Sequence, residues 1–197
     1  MQEIKDLRVQ KTQQAIARAF FEELAEKPFT SISVAELAQR ANIGKATFYN
    51  HYLDKYDLAT QLIADNFFPL DDMLIQRAQS GDWTRIAKPL PPHFDQTLQH
   101  LRLLSRIHTD EVDFDDIVTQ RLTNSFKRQL DQRSVLLTHS TEITTYLAKL
   151  GFCFFMNTIN AADPLDPKAS HQQFEEFIIA LRALSQPHGS TPASTGN

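Results

Sequence analysis

Between Gly44 and Lys55 the chain sets out Lys45, Ala46, Thr47, Tyr49, Asn50, His51 and Lys55, a run of small, amide-bearing, hydroxylated and cationic side chains at helical spacing. Successive side chains on a helix point about 100° apart. Phe48 and Tyr52 therefore fall on one face, Ala46, Thr47 and Asn50 on the opposite face, Lys45 and Tyr49 on one flank and His51 on the other. The chemistry that suits such a surface is the reading of duplex DNA. An asparagine amide can pair bidentately with adenine, while the methyls of Ala and Thr can meet the methyl of thymine. Flanking Lys, Tyr and His suit the phosphates that border the groove. Lys45 and Lys55 each fall in the first turn of a helix, where the macrodipole disfavours a cation by about 0.3–1 kcal/mol. A phosphate reverses that sign, and helix amides attract phosphate in their own right.

The elements that must position these residues are legible as helices. From about Lys5 to Glu26, the residues Ile16, Ala17, Phe20, Phe21 and Leu24 form one apolar stripe, and Pro28 marks the end of the helix. Ser33-Val34-Ala35-Glu36 reads as a capping box at the head of a short second helix that buries Val34, Leu37, Ala38 and Ala41. Asn42-Ile43-Gly44 interrupts the pattern for three residues, the connection expected of a helix-turn-helix, and the reading helix is expected over about Gly44 to Tyr52. Asp54 is the expected N-cap of a fourth helix running to about Ser80, with Leu58, Leu62, Ile63 and Phe67 on its buried side.

Ile32-Ser33-Val34-Ala35-Glu36-Leu37-Ala38, Ile43 to Tyr52 and Lys55-Tyr56-Asp57-Leu58 together resemble the DNA-binding module of the TetR family, over about residues 8 to 65. The resemblance implies an all-α homodimer that binds operator DNA, with helices one to three on the DNA and a divergent C-terminal bundle for dimerisation and a small-molecule effector. It also implies DNA contacts by Lys45, Thr47, Tyr49, Asn50, His51 and Lys55 and near Ser33. Relatives often carry Gly or Ser at the position of Ala46, and a basic or polar residue at the position of Leu53.

The C-terminal part is read from its residues alone. Ser80 to Pro92 reads as a loop or break. Phe94, Leu98, Leu101 and Leu104 mark a fifth helix, Ile117, Leu122, Phe126 and Leu130 a sixth, and Ile143, Leu147, Leu150 and Phe154 a seventh. Phe174, Phe177, Ile178, Leu181 and Leu184 mark an eighth. The seventh and eighth have apolar faces wider than a surface helix needs, so a twofold dimer through them is expected. Trp83, Phe94, Phe126, Phe152, Phe155 and Met156 are candidates for lining an apolar effector pocket, with core packing as the alternative. The acidic run Asp110 to Asp116 reads as a capped, solvated helix start. His93, His100 and His108 stand two turns apart, about 10.5 Å along an axis, too far to share one metal ion.

Composition narrows the remaining classes. The net charge is −4, but residues 1–58 hold eight Lys/Arg against eight Asp/Glu, so the whole deficit lies in the C-terminal part. A local DNA-binding patch is compatible with that balance, and a chain coating nucleic acid indiscriminately is not. The single cysteine, Cys153, permits no intrachain disulfide and is expected to be a small buried residue. No Gly-x-Ser-x-Gly, phosphate loop or His-Glu-x-x-His is present, so neither an enzyme nor a bound cofactor or metal is expected. The charged N-terminus lacks the apolar stretch of a signal peptide, which leaves a cytoplasmic protein without membrane contact as the expectation.

The expected organisation is a helix-turn-helix DNA-binding domain over 1–53, a helical effector-binding and dimerisation domain over 54–185 and a disordered tail over 186–197. The expected function is transcriptional regulation, in the family's usual sense of a repressor released from a palindromic operator by a small molecule. Activation, or protein binding through the same helix-turn-helix, are the alternatives.

Overall fold

The structure, a computed structural model, describes residues 2–79, 90–132, 138–160, 172 and 176. Seven helices account for most of these: α1 (Gln2–Glu26), α2 (Val34–Arg40), α3 (Lys45–Tyr49), α4 (Lys55–Gln79), α5 (Asp95–Leu104), α6 (Phe114–Gln132) and α7 (Ser140–Asn160). Single 3-10 turns at Phe29–Ser31 and Pro92–Phe94 lead into α2 and α5. The only β-type pairing among the described residues is one isolated bridge between His108 and Asp113. The chain is therefore all-α, as its periodicity requires. The expected eighth helix, Trp83 and the expected disordered tail lie outside the described residues.

The helix boundaries follow from local chemistry. The Ser33 hydroxyl accepts from the Glu36 amide at 3.3 Å while the Glu36 carboxylate accepts from the Ser33 amide at 2.9 Å, which completes the capping box of α2. At the far end of α2, Asn42 adopts φ 54°. The amides of Asn42 and Ile43 then donate back to the carbonyls of Gln39 and Ala38, a Schellman closure in which asparagine tolerates the left-handed region. Asp54 caps α4, its Oδ1 accepting from the amides of Tyr56 and Asp57 at 2.8 Å each. Pro69 sits inside α4, where it removes one backbone donor.

One apolar cluster runs from Ile16, Phe20 and Phe21 of α1 through Leu37, Phe48 and Leu58 to Leu98, Phe114, Val118 and Ile159. The boundary expected at residue 53 thus crosses a continuous core. His100 of α5 stacks on Phe21 of α1 at 3.7 Å between ring centroids, and its Nδ1 lies 3.1 Å from the Asn66 side-chain oxygen of α4. Burial holds the His100 imidazole below its ordinary pKa, which keeps the ring neutral for this stacking.

A buried polar knot joins α4 to α6. Arg121 Nε donates to Asp71 Oδ2 at 2.7 Å, and the Ser125 hydroxyl donates to the same oxygen at 2.7 Å. The guanidinium also reaches Asp72 and lies over the Phe68 ring, 4.4 Å from its centroid. The acidic run at the head of α6 is capped as expected: Asp113 Oδ1 accepts from the amides of Asp115 and Asp116. Asp113 Oδ2 meets His108 Nδ1 at 2.9 Å and, with it, pulls the imidazole above its ordinary pKa. At Gly151, where α7 faces α6, a Cβ would stand 3.6 Å from the Phe126 ring, an ordinary van der Waals contact.

Two expectations need correction. The reading helix is shorter than Gly44–Tyr52: regular helix covers only Lys45–Tyr49. The backbone tightens after it, His51 N–H donating to the Phe48 carbonyl three residues back at 2.9 Å. Cys153, expected buried, is exposed. Helix α7 is apolar on more than one side, so periodicity could not tell which side is covered. Cys153 falls on the same side as Ile143, Tyr146 and Leu150, which are 38%, 65% and 40% exposed.

Candidate nucleic-acid interface

The surface of α3 begins with how its inner side is fixed. Phe48 is wholly buried and Tyr52 nearly so, their rings 5.7 Å apart, in the core shared with α1 and α2. Burial, more than the nearby Asp65 and Asp57, pushes the Tyr52 hydroxyl above its ordinary pKa, so it stays neutral. With that side anchored, helical geometry turns Lys45, Ala46, Tyr49 and Asn50 to solvent, and all four are exposed. Thr47 and His51 are half-buried at the margins. Gly44 supplies the N-cap with extended backbone and no side chain over the first turn. The outer face is thus one compact patch with one cation, one aromatic hydroxyl and one primary amide.

Ser33 is exposed at the head of α2, but its hydroxyl is engaged with the Glu36 carboxylate at 2.6 Å. Lys55 is placed differently from the residues of α3. Its ammonium donates to the carbonyls of Phe29 at 3.1 Å, Thr30 at 3.0 Å and Ile32 at 3.0 Å. The structure therefore brings Lys45, Ala46, Thr47, Tyr49, Asn50 and His51 together on one short element and turns Lys55 back toward the α1–α2 connection.

Sequence reasoning missed the ion-pair net beneath this surface. Arg40 of α2 forms a fork with Glu26 at 2.7 and 2.9 Å and reaches the buried Glu23 at 2.7 Å, while Lys27 bonds Glu23 at 2.8 Å and Glu36 at 2.7 Å. Lys27 and the Ser33 cap together hold the Glu36 carboxyl down to about 2. The acids at the end of α1 thus pair with Lys27 and with Arg40 of α2, while Lys45 stands exposed on α3. Glu23 and Lys27 stand at i,i+4, a spacing the sequence offers, but Lys27 and Glu36 are 9 residues apart and Arg40 and Glu26 are 14 apart, with no local spacing to read.

The pocket candidates divide. Phe94 is buried in the core, and Phe155 packs edge-on against Phe67 at 5.1 Å. Phe126, Phe152 and Met156 are half-buried against the same core. A cleft of about 800 Å³ lies instead along the outer side of α6, between Phe68, Arg121, Asn124, Lys127 and Arg128. No helix among the described residues is long and apolar enough to cross a membrane.

Comparison with known proteins agrees with this geometry. Residues 16–62 match the sequence model described as bacterial regulatory proteins, tetR family. The chain is 39% identical over 59 residues to the HTH-type transcriptional regulator YxbF of Bacillus subtilis, a match covering 29% of this chain and 16% of that protein. It is 30% identical over 80 residues to an HTH-type transcriptional regulator of Haemophilus influenzae, covering 40% of this chain and 39% of that one. These matches span less than half the length of either curated relative.

Two solved structures share the fold over most of the chain. The dihydroxyacetone kinase operon activator DhaS superposes with TM-score 0.52 at 19% identity, over 88% of this chain and 95% of its own. A TetR-family transcriptional regulator from Streptomyces coelicolor superposes with TM-score 0.52 at 16% identity, over 89% of this chain and 99% of its own. Residues 16–62 thus form a helix-turn-helix segment similar to that of the tetR family of bacterial regulatory proteins, presented on an all-α body.

Proposed function

We propose that the protein is a cytoplasmic transcriptional regulator that binds operator DNA as a homodimer and reads sequence with the outer face of α3. The observation that carries this reading is the division of α3 and the turn that follows it into a buried side, Phe48 and Tyr52, and an exposed side, Lys45, Ala46, Tyr49 and Asn50. Asn50 pairs with a base edge, Ala46 and Thr47 make methyl contacts, and Lys45, Tyr49 and His51 border the groove on phosphates, with Ser33 near the same backbone. Dimerisation runs through α7 and the helix expected after it: Ile143, Tyr146, Leu150 and Cys153 form an exposed, largely apolar stripe of the kind a twofold axis covers. Two reading helices held about 34–36 Å apart meet successive major grooves. A small apolar or aromatic effector in the C-terminal bundle, against Phe126, Phe152, Phe155 or Met156, alters that spacing through α4, so effector and DNA oppose each other reciprocally. Release from the operator makes the protein a repressor. Activation is the second reading, favoured by the fold shared with an operon activator.

The test is selection of bound duplexes from a random DNA pool with purified full-length protein at a stated salt concentration. An enriched near-palindrome is expected, its symmetry reporting the dimer; folded protein that enriches nothing would contradict the reading. On the enriched duplex, Asn50→Ala is expected to cost about 1–3 kcal/mol and relax base choice at one position in each half-site. Equal loss on the enriched and on random duplexes would remove Asn50 from the reading role.

A further inference from the structure

The ammonium of Lys55 has three N–H donors, and three backbone carbonyls accept from it: Phe29 at 3.1 Å, Thr30 at 3.0 Å and Ile32 at 3.0 Å. It also lies over two aromatic faces, 4.8 Å from the Phe29 centroid and 5.3 Å from that of Tyr56. The Phe29 and Tyr56 rings pack edge-on at 5.5 Å, so the cation sits in a formed cradle. Two of the carbonyls, those of Phe29 and Thr30, belong to the 3-10 turn Phe29–Ser31, whose carbonyl-bearing end favours a cation. That placement answers the puzzle of a lysine in the first turn of α4: its charge is drawn away from the amides of its own helix. Burial pulls its pKa below the ordinary lysine value.

We propose, on the DNA-binding reading above, that Lys55 serves recognition as a positioning residue, tying the start of α4 to the segment before α2 and so framing α3, without contacting a phosphate itself. The geometry of the frame is simple. Ile32 immediately precedes Ser33, the N-cap of α2, so the tie joins the heads of α2 and α4. The intervening chain contains α3 and is already pinned at the α2–α3 turn by the Ile43 N–H donating to the Ala38 carbonyl at 2.9 Å. With both sides held, α3 has one orientation relative to α4, and any displacement of α4 reaches it. To reach a phosphate, Lys55 would have to abandon all three carbonyls and both rings, whereas Lys45 already stands exposed on α3.

The experiment uses full-length Lys55→Met, which keeps an unbranched apolar stem but removes the ammonium, and Lys55→Arg, which keeps the charge but offers a planar fork in place of three radiating donors. Three readouts are taken: Tm without DNA, affinity for the pool-selected and for a random duplex well below that Tm, and the dependence of affinity on salt. Lys55→Met is expected to lower the DNA-free Tm and to weaken the selected duplex by about tenfold, the loss from one misplaced base contact. The random duplex should change by less than about twofold and the salt slope should stay as in the parent, because no counterion-releasing contact is removed. Lys55→Arg should not restore the selected affinity.

A phosphate contact gives the opposite pattern and would overturn the proposal: an unchanged or raised Tm, equal loss on both duplexes, a slope smaller by about 0.9 and rescue by arginine. A lowered Tm with parental affinity for the selected duplex would also overturn it, leaving only a stabilising lysine. If the parent itself binds no duplex, the DNA-binding reading falls and the positioning role with it, while the DNA-free Tm separately reports whether the tie exists.

Discussion

Replacing Phe48 by alanine is expected to destabilise the protein by about 3–5 kcal/mol and to abolish binding to the selected duplex. The ring is wholly buried, and it is the only fully inaccessible side chain on α3. A helix of five residues has almost no stability of its own, because the nucleation cost is met only over many turns. Its position on the body of the protein therefore depends on this anchor, assisted by Tyr52 at 5.7 Å and Tyr49 edge-on at 5.7 Å. Alanine removes the transfer energy of the ring and leaves a cavity between α1, α2 and α3 that short connections cannot collapse. Urea unfolding followed by circular dichroism measures the loss as a lowered midpoint at constant m-value. Tyr49→Ala, at a site 56% exposed, is the control and should shift the midpoint little. Equal midpoints for the parent and Phe48→Ala would mean that α3 is not held by the core described here.

The contrast between these two neighbours shows what a sequence can disclose. Phe48 and Tyr52 were legible as the inner side because a period of 3.6 residues assigns faces without knowledge of the rest of the fold. The caps at Ser33 and Asp54 were legible because both partners of each bond lie within three residues. The family resemblance located the same segment, and the match over residues 16–62 coincides with it. What could not be read were contacts between distant positions. The carbonyls beneath Lys55 lie 23 to 26 residues away, and a backbone carbonyl has no letter of its own. Lys55 therefore looked like a cation awaiting a phosphate. Arg40 and its acids were obscured in the same way, since even the nearest of them, Glu26, is 14 residues away. Cys153 was misplaced for a different reason: α7 is apolar around much of its circumference, so hydrophobicity alone does not distinguish a side packed on α6 from one left to a partner. The reading helix was drawn too long because nothing in Asn50-His51-Tyr52 forbids helix, and only the tightened backbone before Asp54 ends it.

The other large effect is expected where α4 meets α6. Arg121→Ala should destabilise the protein by about 3–5 kcal/mol at neutral pH, because it leaves the Asp71 carboxylate buried with the Ser125 hydroxyl and no charge partner. The side chain of Asp71 is 3% exposed, so solvent cannot take over the role of the guanidinium. Desolvation already raises the Asp71 pKa above its ordinary 3.8, against the hydrogen bonds from Ser125 and Arg121 and the charge of Arg121. Removing the arginine withdraws a hydrogen bond and a positive charge that lower it, and so raises it further. A carboxyl whose folded pKa exceeds its unfolded value binds its proton more tightly in the folded state, and its penalty grows as pH rises through that interval. The cost of Arg121→Ala should accordingly be largest at neutral pH and shrink as pH falls toward the ordinary aspartate range. Arg121→Ala with Asp71→Asn should recover part of the loss at neutral pH, since an amide carries no charge to bury. Urea midpoints of both proteins at neutral and mildly acidic pH measure this. A cost independent of pH, with no recovery in the double variant, would show that Arg121 contributes through its packing on Phe68 rather than through the charge of Asp71. Recovery would make this knot the electrostatic lock between the helix that follows α3 and the helix that borders the bundle, so that whatever moves α6 must either carry α4 with it or break the pair.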